Sequence, residues 1–294
     1  MPQVLAAFLQ EAREKIEQHL PEYIEGLNAP TVLKEAMTYS LKAGGKRLRP
    51  ILVLATLKSY GKPLSLGYQA AAAIEMIHTY SLVHDDLPAM DDDDLRRGKP
   101  TNHKVYGEAM AILAGDGLLT YSFQLLASAN MLSTDMKLEL IRRISQAAGP
   151  AGMVGGQVKD MLGEGRELDA EQLQQIHHHK TGELLSVSVE AGAIIAAVPE
   201  KEKIALREFG KQLGIAFQIK DDILDVEGDV RELGKPVGSD EVNNKSTYPK
   251  LLGLAGAKEK LLSHIAEAKK CLYKTSMDHT LLIELTDYIG TRTK

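Results

Sequence analysis

Tryptophan is absent from this 294-residue chain and aromatic residues make up only 5% of it. Leu, Ile, Val, Met and Ala must therefore fill the core, a mix that suits helices better than sheets. Cys271 is the single cysteine, which excludes an intrachain disulfide and fits a reducing compartment. No stretch reaches the roughly 20 apolar residues that span a bilayer. The first twenty residues mix Glu, Lys, Arg and Gln with apolar residues at helical spacing, without the run or cleavage signal of a secretory peptide. A basic tail is missing too. Lys and Arg number 35 against 40 Asp and Glu, a net charge of −5, which gives no support for nucleic-acid binding. The expectation is a cytoplasmic protein with no stable membrane insertion.

What is present is helical periodicity. Apolar residues make up 44% of the chain and charged residues 26%, ordinary for a globular protein. Val4, Leu5, Phe8, Leu9, Ala12 and Ile16 form a stripe on one helix face. Thr31–Ala43 repeats the pattern and stops at Gly44-Gly45, and Pro50 can open a helix over Ile51–Tyr60. Leu64–Leu87 reads as one long helix, buried almost all round from Ala70 to Ile74. Further helices are predicted near 107–130, 135–149, 151–163, 170–197, 200–224, 248–253, 255–273 and 279–290. No alternating strand pattern and no interdomain linker is visible. The polar stretch Glu227–Ser246 is the longest loop candidate, a length that often carries function. The chain reads as a single all-α domain over residues 1–294.

Two acidic motifs stand out. Asp85-Asp86 closes an apolar helix, and Asp91 to Asp94 follow after Pro88. An acidic run alone is more often a solvated loop, but this one is rooted in a helix that reads as buried. Six crowded carboxylates repel unless a cation offsets them. Pro88 disfavours helix at Leu87, so the chain can bend and return Asp91 toward Asp85. Hard oxygen ligands with open positions suit Mg²⁺ shared with substrate phosphates. In the second motif, Asp221 and Asp225 are i and i+4 and share a helix face. The cations Lys46, Arg49, Arg96, Arg97, Lys180, Lys235 and Lys245 would suit two diphosphates, one held through metal and one directly. His78 lies two turns before Asp85 on nearly the same face. His177-His178-His179 is discounted as a metal site, because helix neighbours point about 100° apart.

Together, Gly44-Gly45-Lys46-Arg47-Leu48-Arg49-Pro50, Asp85 to Asp91 with Arg96-Arg97-Gly98, Lys180-Thr181-Gly182, Gln218 with Asp221 to Asp225, and Gly234-Lys235 resemble the trans-isoprenyl diphosphate synthase family. Within it the chain is nearest the bacterial farnesyl diphosphate synthases, over essentially its whole length. The resemblance implies a bundle of roughly ten or more helices around a central cavity, and a homodimer. It implies that Asp85 and Asp91 bind two Mg²⁺ and Asp221 a third, clamping an allylic diphosphate that Arg96, Lys180, Lys235 and Lys245 also contact. Lys46, Arg49, His78 and Arg97 would bind isopentenyl diphosphate, while Thr181 and Gln218 face the reacting carbons. The role of Lys220 stays open.

The implied chemistry is Mg²⁺-dependent ionisation of an allylic diphosphate, dimethylallyl or geranyl, attack by the isopentenyl double bond, and proton loss to the released diphosphate. Tyr80 and Ser81, about one turn below Asp85, would floor the product pocket and stop growth at fifteen carbons. Rivals are a longer-chain geranylgeranyl synthase, a metal phosphohydrolase built on His84-Asp85, a terpene cyclase and a non-catalytic subunit of a larger prenyl synthase. The hydrolase would not need the second motif or the paired arginines, and the cyclase has no use for a second diphosphate site. The inactive subunit is expected to have lost motif residues that are intact here.

Overall fold

The computed structural model describes residues 2–166, 168–227 and 246–293. Its centre is three helices with almost no polar face: α3 (Leu48–Ser59), α4 (Tyr68–Asp85) and α10 (Glu183–Ile195). Every residue from Pro50 to Leu57, from Ala70 to Ile77 and from Leu184 to Ile195 is buried. Such helices have to be surrounded by protein. Here α3 packs on both α4 and α10.

Amphipathic helices form the wrapping. Helix α1 (Gln3–Glu25) buries Leu5, Phe8, Ala12, Ile16, Leu20 and Ile24 along a single stripe. Helix α2 (Thr31–Leu41) lies beside it, and α5 (Asn102–Tyr106) and α6 (Glu108–Ala127) pack on α2, with α6 also against α4. Helix α6 is long and apolar enough to cross a membrane by length and composition alone, but it turns Ala111, Ala114, Leu118 and Leu125 into the protein. Helices α7 (Thr134–Ala148), α8 (Met153–Gly163) and α9 (Ala170–His177) lead into α10. Helix α11 (Glu200–Glu227) packs on α10, α12 (Tyr248–Leu272) on α11, and α13 (Thr280–Thr291) on α12 and α3. A second apolar cluster joins α9, α11 and α12 through Leu173, Ile219, Ile223, Tyr248 and Leu261.

The all-α reading holds, with three local differences. Leu64–Leu87 is a 3₁₀ turn (Leu64–Gly67) followed by α4, which ends at Asp85. The helix expected over 170–197 is interrupted by a π-helical turn, His178–Gly182. A two-strand hairpin, β1 (Leu95–Arg96) and β2 (Lys99–Pro100), follows the first acidic motif. Its turn residues Arg97 and Gly98 both have positive φ, 54° and 75°, the geometry that closes two-residue hairpins. Two-residue strands are too short for an alternating pattern to announce them.

Candidate active site

The end of α4 and the loop after it bring the first acidic motif together. The Asp91 amide donates to the Asp85 carbonyl at 2.9 Å, while Met90 and Asp92 donate to the carbonyl of Leu87. The chain thus doubles back, as the proline spacing predicts. Burial pushes the Asp85 carboxyl up to about 6; Asp91 and Asp86 add to the rise, against Lys180 and Arg96. Asp86 is buried and bound by Arg96, whose Nε donates to Oδ1 at 2.6 Å; Arg96 Nη2 also reaches Asp93 at 3.4 Å. Arg96 therefore braces the acidic loop as well as adding charge to it. His84 turns away from Asp85, its Nε2 donating to the Ile112 carbonyl on α6 at 3.1 Å.

A basic basket lies beside this motif. Arg97 extends back from the hairpin and donates to the Gly44 carbonyl. Its guanidinium lies so close over Gly45 that a Cβ there would sit 2.6 Å from Nη1. The two glycines therefore seat Arg97. Arg47, with φ 52°, is buried and donates to Glu75 Oε1 at 2.7 Å and to the Leu41 carbonyl at 2.6 Å. Arg49 comes from the first turn of α3. Burial draws its guanidinium down to about 10, Arg97 adding to the fall. Its Nε is buried without a hydrogen-bond partner among the described residues. His78 faces the same basket. Burial, then Arg49, Arg97, Arg96 and Arg47, hold its imidazole well below the usual range and so neutral. A cleft lined by Glu75, His78, Asp86, Arg96 and Arg97 opens here.

Across from it, the π-helical turn supplies Lys180 and Thr181. It is clamped on two sides by backbone: a Cβ at Gly156 of α8 would meet the Lys180 nitrogen at 2.2 Å, and one at Gly214 of α11 would meet Gly182 Cα at 2.7 Å. π turns recur at functional sites because the extra residue re-aims side chains. Lys180 donates to Asp160 Oδ2 at 2.5 Å and feels Asp85 and Asp91. A cavity of about 170 Å³ is lined by Asp160, His177, Lys180, Thr181, Gln218 and Asp222. Burial takes the His177 imidazole down to about 4.

The second motif divides its acids. Asp222 and Asp225 are buried, and Asp222 Oδ2 accepts from the Tyr248 amide at 2.9 Å, tying α11 to the start of α12. Asp221 is the more open one. Lys46 Nζ lies 3.9 Å from it, and Arg292, past the end of α13, donates to it while stacking on Phe217 at 4.6 Å. Lys46 also sits over the Phe217 ring at 5.5 Å.

The structure thus lines one cleft with His78, Arg96 and Arg97 and a second with Lys180, Thr181 and Gln218. Asp85 interacts with Asp91, Arg96 and Lys180, Lys46 reaches Asp221, and Arg49 acts on His78 and feels Asp221. Tyr80 is 7% exposed, and Ser81 donates to the His78 carbonyl at 2.9 Å. Lys235 and Lys245 lie outside the described residues. Sequence reasoning missed Arg47, Glu75, Asp160, His177 and Arg292. Asp160 left a faint signal as the sole acid between Ala151 and Gly163. Of the discounted histidines, His178 pairs with Glu183 and His179 with the Gln175 carbonyl, their rings meeting edge to face at 5.1 Å, while only His177 of the three lines the cavity.

The polyprenyl synthetase family model matches residues 30–279. The chain is 55% identical to the farnesyl diphosphate synthase of Geobacillus stearothermophilus, over 97% of each chain. It is 54% identical to that of Bacillus subtilis, over 99% of each. The crystal structure of a geranylgeranyl pyrophosphate synthetase from Pyrococcus horikoshii superposes with a TM-score of 0.88 at 32% identity, covering 99% of this chain and 98% of that one. With its acids, its arginine basket and its π turn brought to one end of the helical bundle, the chain belongs to the polyprenyl synthetase family.

Proposed function

We propose that this chain, as a single domain, joins isopentenyl diphosphate head-to-tail to dimethylallyl and geranyl diphosphates, giving farnesyl diphosphate and diphosphate. The observation that carries the reading is the pairing of acids with a separate arginine basket: Arg49 has a buried Nε without a partner among the described residues, and its charge acts on His78 and Arg97. A buried donor without an acceptor suits a diphosphate oxygen, and charge-assisted bonds of this kind are strong. Lys46, Arg49, His78 and Arg97 bind isopentenyl diphosphate on that side. Arg96 and Lys180, joined by Lys235 and Lys245, hold the allylic diphosphate.

Asp85, Asp91 and Asp221 fit three Mg²⁺ ions. Burial raises Asp85 and its neighbours crowd it, a cost that a hard cation offsets. Three carboxylates would leave most coordination positions of such ions to substrate oxygens and water, as Mg²⁺ prefers. When bound, the ions supply Lewis-acid neutralisation of the departing diphosphate. The chain's own residues do the rest. Lys180 and Arg96 take up leaving-group charge, and the oxygen dipoles of Thr181 and Gln218 face the allylic carbons where positive charge develops. Neutral His78 donates to a diphosphate without repelling the arginines. The proton lost from the new chain passes to the released diphosphate.

Tyr80, buried one turn beneath Asp85, and Ser81 beside it end the pocket at fifteen carbons. A cytoplasmic homodimer is part of the proposal, checked by sedimentation and cell fractionation. The central test incubates purified protein with isopentenyl and geranyl diphosphates, with and without EDTA, and reads product mass. A metal-dependent fifteen-carbon diphosphate is expected. Longer products would overturn the Tyr80 floor alone, and the absence of any condensation would overturn the whole reading.

A further inference from the structure

Three side-chain facts between α4 and α6 bear on the length of the product. Tyr80 and His84 are i and i+4 on α4, and their rings meet edge to face with centroids 5.7 Å apart. His84 is fixed from the other side, its Nε2 donating to the Ile112 carbonyl at 3.1 Å with Asp116 Oδ1 at 4.0 Å. It can lie there only because residue 115 has no side chain. A Cβ on Gly115 would stand 2.1 Å from His84 Nε2, 2.5 Å from Cδ2 and 2.9 Å from Cε1. Real Cβ atoms do not approach that closely, so the ring would have to move. The contacting atoms belong to a ring held on both sides, not to the loose end of a flexible chain.

We propose that His84, seated against Gly115 of α6, is a specificity-determining positioning residue that holds the Tyr80 ring as the floor of the product pocket. The proposal rests on the prenyltransferase reading and on the Tyr80 floor. An aromatic ring blocks a growing apolar chain only if it stays in one rotamer, because a buried ring that can swing aside leaves room for another isoprene unit. Edge-to-face pairs contribute about 0.5–1.5 kcal/mol beyond area burial, and here the partner is itself anchored to backbone on a second helix. Tyr80 lies 7% exposed within the main core, so the same contact also spares it from facing an empty neighbour. In this arrangement His84 acts through Tyr80.

The test compares wild type, Gly115→Ala, His84→Ala and the double variant, each incubated with geranyl and excess isopentenyl diphosphate and Mg²⁺. Products are resolved by mass. Both single variants should raise the ratio of twenty-carbon and longer products to fifteen-carbon product by about tenfold or more, the discrimination that a methylene-sized change in an apolar pocket commonly carries. The double variant should match His84→Ala alone, since both substitutions act through one ring. Melting temperatures separate this from general loosening, and if Gly115→Ala does not fold, His84→Ala decides. Fifteen-carbon product alone from every folded variant would overturn the proposal and leave the prenyltransferase reading standing. No condensation by wild type would overturn both.

Discussion

Glu75→Gln should cost about 3–5 kcal/mol of stability, because it strips the charge partner from a buried arginine while keeping the shape. Arg47 and Glu75 side chains are 3% and 4% exposed and 2.7 Å apart. The next carboxylate to Arg47, Glu17, is 3.9 Å away on α1. Glu75 also faces Arg49 and Arg97, so neutralising it leaves the basket with net repulsion. At about 2.1 cal/mol/K per residue, a chain of 294 residues loses about 5–8 °C of Tm for that cost. The control replaces both partners, Arg47→Met with Glu75→Leu. Such exchanges are often nearly neutral, and here the residual penalty is about 1 kcal/mol for the Leu41 carbonyl left without its donor. Lys46 and Arg49 flank Arg47, so Glu75→Gln should also raise KM for isopentenyl diphosphate without changing product length. Differential scanning fluorimetry on the three proteins is sufficient. A Glu75→Gln melting point within about 2 °C of wild type would refute the claim that this pair organises the basket.

Asp160→Asn removes the carboxylate charge that holds Lys180 at 2.5 Å while keeping the shape; kcat/KM should fall by about ten- to a hundredfold, as for other supporting groups, with little change in Tm. An unchanged kcat/KM would show that Lys180 is placed by the π turn alone. Acid stability is a second check. Burial holds His177 and His264 near 4 against 6.5 for a free imidazole. The unfolded chain takes up these protons first, so stability is full above about pH 6.5 and declines as pH falls toward 4. His264→Gln, which keeps an amide near Gln212, should flatten the Tm profile across that window, and a profile parallel to wild type would contradict the assignment.

The helices were legible because apolar spacing reports burial directly: the α1 stripe and the apolar blocks of α3 and α4 appear in the residues themselves. The π turn was not, since one extra residue in a turn leaves no periodic trace over so short a span, and the glycines that clamp it come from α8 and α11. The cations proposed to hold diphosphate were legible as Lys and Arg accompanying the two acidic motifs. Their partners were less so. Glu75 sits in the middle of an alanine-rich helix and reads as a surface residue until Arg47 is seen against it. Arg292 lies 71 residues from the acid it meets, a pairing no local pattern encodes.

Backbone strain gives an independent mark of the same site. Four described non-glycine residues have positive φ, and three of them, Arg47, Asp92 and Arg97, lie in the loops that build it. A left-handed conformation costs an ordinary residue roughly 1–2 kcal/mol that glycine avoids, so a side chain retained there is needed for what it does. Arg97 separates the two effects. Its backbone, at φ 54°, would accept glycine freely, while its guanidinium rests on Gly44 and Gly45. Arg97→Gly and Arg97→Ala lose the same charge, so both should raise KM for isopentenyl diphosphate alike. In stability they should differ, the glycine variant melting at or above the alanine variant because it alone is relieved of the left-handed strain. If alanine melts clearly higher, the strain does not exist, and the case for Arg97 rests on its charge alone.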